Sequence, residues 1–186
     1  MNVSYPVLFL LFVQTFVPHI CQHNSNPNCH VVNPLNFTIH GLWSEYGNDS
    51  YPAYCNHTQL DLHQIEDLIP QMDKYWLSYE SNNSDFWSHE YRKHATCDPN
   101  TTTHQYFQKA LNAFNESNFN NIWNQNQIPL NTPINRNTII NIFNAQPNCQ
   151  LHTNKVIELW QCRYLNMMQF ECPKWVGNCP SQVIFQ

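Results

Sequence analysis

The chain has 186 residues, with 13 acidic against 8 basic side chains and a formal charge of −5. That length fits a single domain over residues 1–186 with a substantial core, and the acidic balance excludes a protein that coats nucleic acid with a uniformly basic surface, although a local cationic cleft is compatible with it. Three Gly among twelve Pro leave nowhere to build a Gly-rich phosphate loop.

Near the N-terminus, Val7 to Val13 (Val-Leu-Phe-Leu-Leu-Phe-Val) forms an apolar run between Pro6 and Pro18. Two readings compete: the core of a signal peptide, or a buried first strand. No Lys or Arg precedes the run, no small-x-small cleavage site follows it, and it is too short to span a bilayer as a helix. Eight cysteines, an even number, point to disulfides and an oxidising compartment. The alternative, zinc, needs Cys-x-x-Cys pairs, and there are none. Cys21 and Cys29 enclose a polar Asn/Pro-rich loop suited to a local staple. Asn-x-Ser/Thr sequons at Asn2, Asn36, Asn48, Asn56, Asn82, Asn100 and Asn115 agree with secretion, with some due to chance in so Asn-rich a chain.

Phe37 and Ile39 alternate with Thr38 and His40, which predicts a strand carrying His40 opposite the apolar pair. Gly41 permits a turn or a close backbone approach, and Trp43 offers a stacking surface, although Trp in such a place more often belongs to a core. Leu62, Ile65, Leu68, Ile69, Met72 and Trp76 fall at helical spacing, with Pro70 expected to kink or split the helix.

Next comes Phe86-Trp-Ser-His-Glu-Tyr-Arg-Lys-His-Ala-Thr-Cys97. In a protein only 11% charged, residues 89 to 94 pack together two imidazoles, a carboxylate, a guanidinium and an ammonium. In a helix, i,i+4 spacing pairs Glu90 with His94 and His89 with Lys93 as one polar wall, anchored by Phe86, Trp87 and Tyr91. Glu90 is expected to raise the pKa of His94, and Lys93 to oppose this and to bind an anion. Such a wall suits acid–base chemistry at a phosphate. The bland alternative is that these are surface histidines, since the chain has ten. The zincin motif His-Glu-x-x-His is excluded by one position, because the residue four after His89 is Lys93.

Tyr106, Phe107, Ala110, Leu111 and Phe114 form a second helical stripe after the cap candidates Thr101 to Thr103. Residues 116–137 are Asn-rich and read mostly as loop with room for a short helix. Thr138 to Phe143 reads as a helix, and Lys155 to Arg163 and Val183 to Phe185 as strands. Interleaved strands and helices with disulfides make an α+β domain.

Together, Phe37-Thr-Ile-His-Gly-Leu-Trp43 and Phe86 to Cys97 resemble the two active-site motifs of the ribonuclease T2 family, which includes the plant S-RNases. Ile65 to Trp76 resembles the family's helical run, and the cysteines fall where the family places its own. The resemblance implies a central antiparallel sheet packed with helices. It also implies the disulfides Cys21–Cys29, Cys55–Cys97, Cys149–Cys179 and Cys162–Cys172, one choice among ~105. Val13 to Cys21 is similar to the family's first strand, with Phe16 in place of Trp and Val17 extra before Pro18. Phe9 to Phe16 is then mature structure, and any secretory leader is expected outside this sequence.

The activity implied is cleavage of single-stranded RNA through a 2′,3′-cyclic phosphate, without metal or cofactor; DNA lacks the 2′-OH nucleophile. By resemblance His94 is the base and His40 the acid, an order that the residues alone do not fix. Glu90 and Lys93 would stabilise the pentacoordinate phosphorane, His89 would hold phosphate, and Trp43, Gln14 and Thr15 would contact substrate. A monomer, secreted or endolysosomal/vacuolar, is expected. Ser44 stands where the family commonly has Pro, and Ala95 where it usually has Gly, which matters only if residue 95 needs positive φ. Two rival readings are a catalytically silent T2-fold binding or signalling protein and a glycosylated disulfide-rich interaction module. Neither has a use for the polar wall.

Overall fold

A computed structural model describes residues 7–22, 25–30, 36–47 and 49–186; the sequons at Asn2 and Asn48 lie outside them. The apolar N-terminal run is strand β1 (Phe9–Phe16), buried along its whole length. On one side it pairs antiparallel with β2 (Phe37–Glu45), and on the other with β5 (Val156–Arg163). β4 (Gln146–Cys149) continues the sheet beyond β5, giving the order β2-β1-β5-β4, and the short β6 (Gln169–Phe170) also pairs with β5. A strand paired on both edges and covered on both faces reads as a continuous apolar run, which is why it resembles a signal-peptide core.

One face of the sheet is covered by α3 (Ile69–Tyr75), α4 (Asn83–Lys93) and α5 (Thr103–Ser117), whose Met72, Trp87, Phe107 and Leu111 join Leu10, Phe12, Ile39 and Leu42 in one core. A second core joins Phe16 and Phe37 to Phe119 and Trp123 of α6 (Phe119–Asn126), Phe143 of α7 (Arg136–Phe143), and Phe185. Phe9, Leu11 and Val13 pack on the opposite face with Val176 and Cys162. Short helices α1 (Val17–Cys21) and α2 (Pro27–His30) follow β1, while β3 (Ile134–Asn135) pairs with β7 (Gln182–Val183). The extra Val17 opens α1, with Pro18 in the first turn, so it leaves the register of β1 intact.

The 62–76 pattern divides as its proline demands: a 3₁₀ turn spans Leu62–Ile65, and α3 begins at Ile69 with Pro70 in its first turn, where no intrahelical N–H is needed. Thr102 and Gln105 close a reciprocal capping box on α5. Across 116–137 the short helix for which the sequence left room is α6, while the expectation of mostly loop is corrected, since α5 runs to Ser117 and α7 begins at Arg136. Asn118 and Gln127 take left-handed φ at the ends of α6, and Phe119 and Trp123 anchor it at i,i+4 spacing. All four implied disulfides are formed: Cys21–Cys29, Cys55–Cys97, Cys149–Cys179 and Cys162–Cys172. Among the described residues no helix is long and apolar enough to cross a membrane.

Candidate active site

The polar wall stands on α4. Asn82 caps the helix, its Oδ1 accepting from the Asp85 backbone N–H at 2.9 Å. Trp87 and Tyr91 are buried against the core, which fixes the roll of the helix and turns His89, Glu90 and Lys93 toward β2. His94 is the C-cap, its backbone N–H bonded to Glu90 O at 2.9 Å.

His40 arrives from β2 by a bulge. Val13 faces Gly41 and Gln14 faces Ile39, so His40 is the extra residue on its strand. Bulges re-aim side chains, and this one turns a half-exposed His40 into the cleft while Ile39 enters the core. The backbone is pinned from behind: Trp76 Nε1 donates to His40 O at 2.8 Å, and Trp87 Nε1 donates to Trp76 O at 2.8 Å. The His40 ring packs edge-on to Trp43 and obliquely on Phe86.

Glu90 is the hub. It is 1% exposed, and Trp43 Nε1 donates to its Oε2 at 2.8 Å. Three imidazoles surround it: His40 Nε2 at 3.8 Å, His94 Nε2 at 3.9 Å and His89 Nε2 at 4.0 Å. Burial raises the Glu90 pKa, with the His40, His89 and Lys93 charges and the Trp43 bond opposing it. The two flanking histidines diverge. For His40, burial pulls the pKa down, but the Glu158 hydrogen bond and charge, aided by Glu90, outweigh that and leave it raised. His94 is 3% exposed, stacked on Trp43 at 5.1 Å and 19°, with neither ring nitrogen hydrogen-bonded. Burial first, then Lys93, His40 and His89, push its pKa down to about 2. The expectation that Glu90 would raise the His94 pKa is therefore corrected: at 3.9 Å without a hydrogen bond, the carboxylate does not offset desolvation.

Two cavities meet at this wall and share Trp43 and Lys93 as lining. The larger, about 490 Å³, is lined by His40, His89, Glu90, Phe86, Thr15 and Glu158 among others. A smaller one of about 250 Å³ holds His94 together with Glu45, Tyr51, Trp160 and Trp175. Thr15 thus reaches the cleft. Its neighbour Gln14 is fully buried on the other face of β1 and lines neither cavity, which removes it from direct contact with substrate. Among the described residues, no group of three or more His, Cys, Asp or Glu has metal-holding spacing.

Residues 7–172 match the model of the ribonuclease T2 family. The chain belongs to the ribonuclease T2 family. Ribonuclease DdI of Dictyostelium discoideum is 31% identical over 190 residues, covering 95% of this chain and 83% of that protein. Intracellular ribonuclease LX of Solanum lycopersicum is 43% identical over 86 residues, a match spanning 44% of this chain and 36% of that protein. RNase NT in complex with 5′-AMP superposes with a TM-score of 0.80 at 27% identity, covering 97% of this chain and 98% of that one. An RNase-related protein from Calystegia sepium superposes with a TM-score of 0.81 at 22% identity, over 97% and 98% of the two chains.

The T2 departures are harmless locally. Ala95 opens a 3₁₀ turn and is absent from the positive-φ residues, so its methyl meets no backbone strain. Ser44 sits within the β1–β2 ladder opposite Leu10. Two features of this T2 site are not apparent from the sequence. Glu158, which holds His40, betrays itself only as a carboxylate between Ile157 and Leu159 in an apolar strand. The aromatic pocket of Tyr51, Trp160 and Trp175 is assembled from three separate segments.

Proposed function

We propose that this chain is an endoribonuclease that cleaves single-stranded RNA by transphosphorylation, the RNA 2′-OH acting as nucleophile. The observation that carries the reading is the pair of imidazoles on either side of Glu90, His40 at 3.8 Å and His94 at 3.9 Å, whose surroundings favour the charged form of His40 and the neutral form of His94. A neutral His94 takes the 2′-OH proton, and the 2′-oxygen forms its bond to phosphorus. The bond from phosphorus to the 5′-oxygen breaks as protonated His40 delivers a proton to that oxygen, leaving a 2′,3′-cyclic phosphate. Water can then open the ring with the two roles reversed. Lys93, which lines both cavities, supplies positive charge to the phosphorane. Glu90, at the hub between the imidazoles, orients them and supports the phosphorane, and His89 holds phosphate at the rim. The two cavities flank the scissile phosphate, with Trp43 and its aromatic neighbours offering stacking faces to the bases.

Secretion or residence in an endolysosomal compartment is the accompanying proposal. Four disulfides support it, as do exposed sequons at Asn56, Asn82 and Asn100; Asn36 and Asn115 are poorer glycan acceptors, since Thr38 is 1% and Ser117 7% exposed. The second reading is a catalytically silent homologue, favoured by one observation: His94, the base of the first reading, is 3% exposed with both ring nitrogens buried. Digestion of single-stranded RNA in EDTA from pH 4.5 to 7.5 separates the two. Cyclic phosphate products are expected, with His40→Ala and His94→Ala each losing ~10²–10⁴ in rate. A folded, disulfide-intact sample that leaves RNA whole would establish the silent homologue.

A further inference from the structure

The role of His40 as the acid, on which a role for Glu158 depends, requires that something hold its proton and aim its ring. His40 Nδ1 lies 2.5 Å from Glu158 Oε1. Glu158 projects from the middle of β5, opposite Thr15 of β1, so the contact crosses the central strand above a small side chain. The carboxylate is itself fixed: Trp160 Nε1 donates to Oε2 at 2.8 Å and Asn148 Nδ2 donates to the same oxygen at 3.2 Å. Both donors therefore occupy one oxygen and leave Oε1 for the imidazole. Glu158 is 8% exposed. Such burial raises a carboxyl pKa, but the His40 hydrogen bond and charge with the Trp160 and Asn148 donors outweigh it and leave Glu158 below its ordinary value.

We infer that Glu158 is a positioning residue for His40: it holds the ring as the Nδ1–H tautomer, aims Nε2 into the cleft and keeps the imidazolium charged until the leaving 5′-oxygen takes its proton. A carboxylate on the remote nitrogen of a catalytic imidazole fixes the tautomer and stabilises the charged form. The other charged groups facing His40 come from α4: Glu90, which also favours the imidazolium, and Lys93, which opposes it. His89 Nε2 lies 4.0 Å from Glu90 Oε1, the same oxygen that His40 Nε2 approaches at 3.8 Å. A purely structural role for Glu158, tying β4 to β5 through Asn148, predicts a loss of stability with His40 unaltered.

The test uses Glu158→Gln, which keeps the size and a carbonyl acceptor but removes the charge, with imidazole ¹⁵N NMR titration of His40 in both proteins. In the wild type, the neutral ring is expected as the Nδ1–H tautomer, with a midpoint above the ordinary 6.5. In the variant the midpoint is expected to fall by about one unit or more, and the alkaline limb of kcat to move down with it. On a dinucleotide at neutral pH, kcat is expected to drop about 10–100-fold, part of the ~10²–10⁴ that general acid catalysis supplies. On a nucleoside 3′-(4-nitrophenyl phosphate), whose leaving group needs no proton, the two proteins should be nearly equal. An Nε2–H tautomer in the wild type, unchanged His40 titration in the variant, or equal losses on both substrates would overturn the assignment. If the wild type cleaves neither substrate, the ribonuclease reading fails, while the titration still decides whether Glu158 governs His40.

Discussion

At Gly41 a strand and a helix close on each other around one carboxylate. A Cβ built there runs into Glu90 Oε2 and Trp43 Nε1, the two partners of the hydrogen bond at the hub. The position needs glycine for this close approach, its φ being unexceptional. Gly41→Ala should therefore fold, lose the Trp43–Glu90 bond and displace the carboxylate by a fraction of an ångström to an ångström. Activity on RNA is expected to fall about 10²-fold, with indole N–H chemical shifts reporting the broken bond; full activity would show that Glu90 tolerates displacement. At this scale the sequence is informative wherever chemistry is local. His89, Glu90, Lys93 and His94 lie within six positions on one helix and its cap, so helical spacing alone assembles the wall. The Glu158–His40 contact, by contrast, joins residues 118 apart. No periodicity carries such a pairing; it depends on the strand order and on the bulge at His40.

Helix α4 carries three of the site's side chains, and its N-terminus sets how firmly they are held. Asn82 Oδ1 accepts from the Asp85 backbone N–H at 2.9 Å, and its Nδ2 donates to Asp85 Oδ2 at 2.6 Å. Asn82→Ala should cost ~0.5–2 kcal/mol, which lowers Tm by roughly 2–4 °C per kcal/mol for a chain of this size. Asn82→Ser retains a capping oxygen without setting a second carboxylate against Asp85, so its Tm should stay closer to wild type. Calorimetry of the three proteins checks this, and equal losses in both variants would mean that the cap contributes little. The elements themselves are legible where a stripe or a breaker is strong. Pro70 announces the break between the 3₁₀ turn and α3, and Thr102 the start of α5. Helix α6 is not legible, because its anchors Phe119 and Trp123 are embedded in asparagines that individually favour turns. What makes it a helix is burial of those two rings against Phe37 and Phe143, a tertiary fact.

For the whole molecule, the titrating groups set a pH window for stability, and each contributes with a definite sign. Glu45, 4% exposed, has its pKa raised from 4.5 to about 8 by burial and by the nearby Asp49. Its contribution is complete below the unfolded value and is lost as pH rises toward 8. Glu90 and His40, also raised, act in the same direction. His94 is held neutral, its pKa lowered from 6.5 to about 2. The unfolded chain takes up this proton below pH 6.5, so the His94 contribution shrinks as pH falls. Between about 4.5 and 6.5 the Glu45 and His94 slopes oppose each other, one proton against one, and the raised Glu90 adds a shallow net decline with pH. Above 6.5 only the groups with raised pKa values remain, and stability should decline with pH. Below 4.5 Glu45 protonates in both states, and His94, joined by the lowered Glu158, makes stability fall with acid. Thermal melts from pH 3.5 to 8.5 should show the greatest stability in the mildly acidic range, with a shallow decline toward 6.5, a further decline above it and a fall below about 4.5. Glu45→Gln removes the buried carboxylate, so it should flatten the alkaline decline and leave the fall below about pH 4.5 unchanged. A maximum near pH 8 in the wild type would contradict the buried state assigned to Glu45. The same protons connect stability to chemistry, because the window that keeps Glu45 neutral also keeps His40 charged and His94 neutral. A mildly acidic optimum for RNA cleavage should therefore fall within the pH range of greatest stability.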